Sequence, residues 1–268
     1  MTRVVASDLD RTLIWSAAAG GNVSGAVCVE EYDGAPLSYV SPAAAADLAL
    51  LVSAGLVVPV TTRTVVQYQR VRLPGGPASF AVCANGGRVL VDGVEDEAHR
   101  GEVRAAVVLS ATLEEVMAVF GSWCLASTVA GAGHFAPRLR DAEGLFCYAV
   151  FPDGAPGGDE VAELVGTLEP LGWRVSVQGR KVYCVPFRLS KEAALEYLAA
   201  SHGLEVVGSA GDSLLDAGML RAHPVGWMPR DSELLRNGWS APGVSITAGS
   251  GLDAGEEIVR GFRDLLGV

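Results

Sequence analysis

Residues 4–13 read VVASDLDRTL: a short apolar run, Val4-Val5-Ala6, gives way to two aspartates, Asp8 and Asp10, with Arg11 wedged before Thr12. A brief β-branched run that stops at polar residues is the pattern of a buried strand in a parallel sheet. Side chains alternate along an extended chain, so if that geometry persists for one more step Asp8 and Asp10 face the same spot. Two carboxylates so placed repel. A hard divalent cation relieves the repulsion, and Mg²⁺ takes a few carboxylate or carbonyl oxygens together with water and substrate phosphate. Alone, D-x-D-x-T reads equally as a turn in which one Asp caps and the other is solvated. By the same alternation Arg11 points away from the cation, and no purpose for it follows.

Working outward, residues 26–40, AVCVEEYDGAPLSYV, hold two β-rich runs around Asp33-Gly34, a hairpin signal, and form a flap near the first strand's exit. Ser41 as N-cap and Pro42 at the first helical position open a helix that Gly55 closes. Leu56 to Val60 is a second buried strand ending at Thr61-Thr62-Arg63, and Phe80 to Cys83 is a third, running into Asn85-Gly86-Gly87 with Arg88 to Val91 as hairpin partner. Strands alternating with helices are the grammar of a doubly wound, Rossmann-like parallel sheet.

The grammar changes in the middle of the chain. Thr112-x-x-Glu115 is a capping box opening an amphipathic helix, a second helix follows Asp159, and LFCYAVF, WRVSVQG and KVYCVPF read as strands, the last two joined at Gly179-Arg180. Residues 93–185 therefore read as an α+β domain inserted into a discontinuous core of residues 1–92 and 186–268. In the second piece Ser190 caps a helix ended by Gly203, Glu205 to Val207 form a strand, and Gly211-Asp212 open another helix with Asp212 as N-cap. A strand at Val244 to Thr247 and a helix from Gly255 to Leu265 close the core.

Ligands of parallel sheets gather outside the carboxyl ends of the strands. Those ends carry Asp8 and Asp10, then Thr61, Thr62 and Arg63, then Asn85, then Asp212; Lys191 begins a helix. A cation in a first helical turn is disfavoured by the helix dipole by about 0.3–1 kcal/mol, so Lys191 either is a solvated surface lysine or holds a carboxylate and a phosphoryl oxygen. Asp216 lies four residues after Asp212 and faces the same side, as a supported metal site needs. Thr61 offers a hydroxyl and backbone N–H groups to phosphate, or simply starts a helix.

In order along the chain these pieces resemble the four motifs of the haloacid dehalogenase (HAD) superfamily of aspartate-nucleophile phosphotransferases: Asp8-Leu9-Asp10-Arg11-Thr12, Thr61, Lys191 and Gly211-Asp212-x-x-x-Asp216. The match spans nearly the whole chain. Asn85-Gly86-Gly87 and the position of the insertion resemble the subgroup with a C2-type cap, as in Cof-type and sucrose-phosphate-phosphatase-like members. The resemblance implies a HAD core with an inserted cap. It makes Asp8 the nucleophile that forms an aspartyl-phosphate, and Asp10 the group that protonates the leaving oxygen and then activates water. It gives Mg²⁺ as cofactor, held by the Asp8 carboxylate, the Asp10 carbonyl and Asp212, with Thr12, Ser213 and Asp216 in support. Thr61, Thr62, Arg63, Asn85 and Lys191 then bind the phosphate. Arg11 stands where Cof-type members commonly have Gly, and Leu215 where many have Asn.

Chemistry agrees with these roles. A carboxylate attacks a phosphate dianion only if their repulsion is cancelled, which Mg²⁺ and Lys191 do while holding the oxygens in line. Asp10, crowded by other carboxylates, suits a group that is acid first and base second.

Composition excludes other classes. Among 268 residues, 31 are acidic and 20 are Lys or Arg, a net charge of −11 that leaves no broad basic surface for nucleic acid or an anionic membrane. The five cysteines, Cys28, Cys83, Cys124, Cys147 and Cys184, form no C-x-x-C pair, which fits a reducing compartment. The opening residues lack a signal-peptide layout, and LALLVSAGLVVPV is too short and interrupted to span a bilayer, so a cytoplasmic protein is expected. His99, His134, His202 and His223 have no ligand spacing. Arg138, Arg140, Arg180 and Lys181 are cap candidates for anionic or hydroxylated groups, or plain solvated residues.

The reading is a phosphoric monoester hydrolase acting on a small phosphorylated metabolite, most simply a sugar phosphate. A phosphomannomutase-like phosphotransferase shares every core residue. A non-catalytic binding protein that kept the fold has no need of both aspartates in the first motif.

Overall fold

A computed structural model describes residues 1–130, 137–152, 154 and 157–268. His134 lies outside the described residues. Five strands form one parallel sheet in the order Val244–Ile246, Gly226–Met228, Leu204–Ala210, Thr2–Ser7, Val57–Pro59. Thr2–Ser7 lies inside the sheet, between Leu204–Ala210 and Val57–Pro59, as its apolar run requires.

The period of two assigns the faces. Val5 packs with Leu48 and Leu51 of the Pro42–Ser53 helix and with Ile258 and Phe262 of the Leu252–Leu266 helix. Val4 and Ala6 pack on the other side with Leu195 and Leu198 of the Lys191–His202 helix and with Met219. Each face buries apolar area worth roughly 25 cal/mol per Å². Helices therefore cover both faces, the doubly wound arrangement.

Local signals account for most element ends. Ser41 Oγ accepts from Ala44 N, with Pro42 at the helix start, and Ser190 Oγ likewise accepts from Ala193 N. Asp33 and Gly34, both at positive φ (50° and 75°), turn the Val27–Tyr32 and Ala35–Val40 hairpin, which Trp15–Ser16 extends to three strands. Phe80–Cys83 pairs antiparallel with Arg88–Val91 and joins the parallel sheet's edge through the Val60–Val82 bridge.

One expectation needs correction. Asp212 does not cap a helix: Ser213 precedes a short 3₁₀ turn, Leu214–Asp216, before the Ala217–Ala222 helix. The cap shifts by one residue because the Ser213 hydroxyl and N–H both reach the Asp216 carboxylate, freeing the Asp212 side chain.

The chain divides into two compact units, Met1–Arg100 with Ser190–Val268, and Gly101–Leu189. The second is an antiparallel sheet ordered Trp173–Gln178, Lys181–Pro186, Phe146–Val150, Arg138–Ala142, with helices Leu113–Ala130 and Gly158–Leu168. The Thr112–Glu115 capping box is formed. Trp173 is buried and donates to Ala111 O, and Trp123 stacks on Phe120, so both indoles pack the unit. Among the described residues no helix is long and apolar enough to cross a membrane.

Candidate active site

Asp8 follows the last residue of Thr2–Ser7, and its N–H donates to Ala210 O of the neighbouring strand, which fixes the carboxylate at the sheet's carboxyl edge. Lys191, in the first turn of its helix, donates from Nζ to Asp8 Oδ1 at 2.6 Å and to Asp216 Oδ1 at 2.5 Å with no side-chain exposure. Two buried carboxylates are what offset the unfavourable helix end. Asp216 Oδ2 takes three further bonds, from Asp212 N, Ser213 N and Ser213 Oγ, so its orientation is locked. Gly211 is required here, because a Cβ on it would lie 2.4 Å from Asp216 Cβ.

Oxygens of Asp8, Asp212 and Asp216 lie within 4.8 Å of one another, all buried. Burial, opposed by Lys191 and reinforced by Asp216 and Asp10, pushes the Asp8 carboxyl up to about 7. Burial, together with Asp8 and Asp216, also lifts the Asp212 carboxyl well above its ordinary range. Lys191 is raised as well, since Asp216 and Asp8 outweigh the effect of its own burial. The cluster is thus short of positive charge and offers only hard oxygen donors. A hard divalent cation such as Mg²⁺ fits that donor set of Asp8, Asp212 and Asp216 oxygens.

Asp10 faces a partner that the sequence reading did not give it. Arg63 Nε and Nη2 clasp both Asp10 oxygens at 2.7 and 2.8 Å, while Nη1 and Nη2 clasp Glu30 at 2.8 and 2.9 Å. Arg63 is therefore engaged between two carboxylates rather than presented to a phosphate. Glu30, with a fully buried side chain, also accepts from Ser38 Oγ. Burial acts to raise its carboxyl, but the hydrogen bonds from Arg63 prevail and hold it below the usual range. Register shifts on either side of Glu30 in the Val27–Tyr32 strand bury Val29 and Glu30 together. Alternation fails at such a bulge, so no sequence pattern marks Glu30 as inward-facing.

Thr61 and Thr62 are buried at the end of the Val57–Pro59 strand, and Thr61 Oγ1 accepts from Arg63 N. Asn85 is buried and its N–H donates to Thr61 O, which draws the third strand end to the second. Thr12 is buried with Oγ1 lacking a hydrogen-bond partner, while its N–H donates to Leu9 O.

Ala84, Asn85 and Gly86 all take positive φ (49°, 54° and 96°), and a Cβ on Gly86 would lie 2.1 Å from Ser190 O. That contact seats the helix start bearing Lys191. Gly86→Ala is expected to destabilise the protein by about 2–4 kcal/mol, through strain and displacement of Ser190. Chemical denaturation of the two proteins checks this; an unchanged midpoint would mean the loop yields freely.

Arg11 does not point away. It sits in a left-handed conformation, φ 63°, where strand alternation has already ended. Its Nε lies 3.5 Å from Asp212 Oδ2 and its Nη2 3.6 Å from Asp231 Oδ2. Of the basic residues in the inserted unit, Arg138 and Arg140 are exposed, Arg180 donates to Pro152 O, and Lys181 lies over the rings of Tyr148 and Tyr183. His99 is buried against Gly86 O, and His223 bonds Met219 O.

No family model matches the chain, and no curated protein matches it. Solved structures do. Over 98% of both chains it is similar to the sucrose-phosphatase of Synechocystis sp. PCC6803, solved with sucrose and phosphate, at TM-score 0.65 and 17% identity. A HAD-superfamily phosphatase from Bacteroides thetaiotaomicron matches at TM-score 0.56 and 14% identity, over 99% of this chain and 95% of that one. A HAD subclass IIB sugar phosphatase matches at TM-score 0.57 and 11% identity, over 100% of this chain and 99% of that one. At these identities the likeness is one of fold: the chain shares the fold of these phosphatases along nearly its whole length.

Proposed function

We propose that the protein is a Mg²⁺-dependent phosphatase that hydrolyses a small phosphorylated metabolite, a sugar phosphate, in the cytoplasm through an aspartyl-phosphate. The observation that carries this reading is the buried meeting of Asp8, Lys191, Asp212 and Asp216 at the carboxyl edge of a parallel sheet. The sugar-phosphate class is favoured by the named activities of the sucrose-phosphatase and sugar phosphatase that share the fold.

Asp8 attacks phosphorus and the bond to the leaving oxygen breaks; water then opens the aspartyl-phosphate, releasing inorganic phosphate and restoring the carboxylate. Mg²⁺, when bound by Asp8, Asp212 and the Asp10 carbonyl, supplies charge neutralisation between nucleophile and phosphate. Lys191 holds Asp8 in line and adds positive charge, and the buried Thr61 hydroxyl binds a phosphoryl oxygen. Asp10 gives its proton to the leaving oxygen and later takes one from water. A two-pronged clasp by a guanidinium is made with a carboxylate, so the Arg63 fork opens for the step in which Asp10 acts as acid.

The test is phosphate release from a panel of sugar phosphates and other phosphometabolites, with Mg²⁺ and with EDTA. Release that requires Mg²⁺ is expected. Isomer formation without free phosphate would identify a phosphotransferase, and no turnover of any substrate would leave a binding protein.

A further inference from the structure

Arg11 is the residue of the opening motif that the mechanism leaves without a task. Its left-handed backbone, fixed by donation of its N–H to Ile14 O, is one that glycine adopts without strain. An arginine there calls for a reason in its side chain. The turn swings the guanidinium over the strand end to Asp212 Oδ2 and Asp231 Oδ2 and above the Trp15 ring, 6.0 Å from its centre.

The two contacts, 3.5 and 3.6 Å, are ion-pair separations and not hydrogen bonds. Lys191, at 2.6 Å from Asp8, is bound quite differently. The Arg11 side chain is 27% exposed, so it is held by charge at the edge of the cluster with solvent beside it. Around Asp212 stand Asp8 from the first strand, Asp216 from the 3₁₀ turn and Glu233 from the Glu233–Arg236 helix, while Lys191 pairs with Asp8 and Asp216. Among the described residues, Arg11 is the lysine or arginine that forms an ion pair with Asp212.

We infer that Arg11 is a built-in counter-ion of Asp212 with which a divalent cation must compete, and so a positioning residue that sets the metal affinity of the site. The inference rests on the Mg²⁺ reading above. A divalent ion bound to the same carboxylate meets a like charge a few ångströms away, and removing that charge strengthens binding. The protein thereby answers part of the Asp212 charge without metal and takes up Mg²⁺ less tightly than it would with a neutral side chain.

Calorimetric titration of MgCl₂ into the metal-free full-length protein tests this. Arg11→Gln and Arg11→Gly are expected to bind Mg²⁺ about tenfold more tightly than wild type, and Arg11→Lys, which keeps the charge, to stay close to wild type. Agreement between Gln and Gly separates charge from backbone relief, since only Gly relaxes the turn. Asp212→Asn is expected to lose Mg²⁺ binding. If Asp212→Asn loses binding while the Gln and Gly variants match wild type, or if Lys behaves like Gln, the inference falls and the metal reading stands. If none of the proteins binds Mg²⁺, or if Asp212→Asn binds as wild type does, both fall.

Discussion

Asp8→Asn is expected to abolish phosphate release, by about 10³-fold or more, in a protein that still folds. An amide fills the volume of the carboxylate but does not attack phosphorus. Stability should move in an instructive direction. The Asp8 carboxyl is raised from 3.8 to about 7, so the folded state holds a proton that the unfolded chain gives up. Its contribution therefore falls away as pH rises through that window, roughly pH 4 to 7, and metal-free wild type carries the penalty of a buried charge at neutral pH. Asparagine has no such dependence. Thermal melts of metal-free protein across that range should show less loss for Asp8→Asn than for wild type, while added MgCl₂ should stabilise the variant less. Retained turnover would remove Asp8 as nucleophile.

Lys191→Met carries the largest expected loss of stability, about 3–5 kcal/mol, because it strips the counter-ion from two buried carboxylates while keeping much of the side-chain volume. Lys191 has no solvent exposure, and both its partners are buried. Neither Asp8 nor Asp216 has another lysine or arginine within ion-pair distance among the described residues. Urea denaturation at neutral pH measures the loss, and acidification should restore part of it by protonating the stranded carboxylates. Phosphate release should vanish as well. A variant as stable as wild type would mean that water or a shift of the helix start compensates, and the view of Lys191 as the hub of the cluster would fail.

Much of this arrangement was legible beforehand for a physical reason. Strand ends in a parallel sheet share an edge, so Asp8, Thr61 and Asp212 had to lie near one another once the strands were recognised. Lys191 stood out because its helix position is unfavourable unless something answers it. The illegible residues are those where a local rule breaks. Arg11 defeats alternation through a left-handed turn, and Glu30 does so through a bulge. Asp212 fails as a cap because the next residue has a better acceptor in Asp216. The Gly226–Met228 strand is only three residues long, and the Arg138–Ala142 edge strand, RLRDA, lacks the apolar run that marks a buried strand.

The clasp of Arg63 between Asp10 and Glu30 bears on how such a protein can be re-engineered. Its far end belongs to the Val27–Val40 hairpin, where Ser38 completes the hold on Glu30. The hairpin is not a detachable module. Grafting a foreign loop between Ala26 and Ser41 would carry off the anchor of the arginine that grips Asp10, so an exchange confined to the hairpin would also disturb the hold on the Asp10 carboxylate. A chimaera that transplants Glu30 and Ser38 together with the loop preserves that coupling.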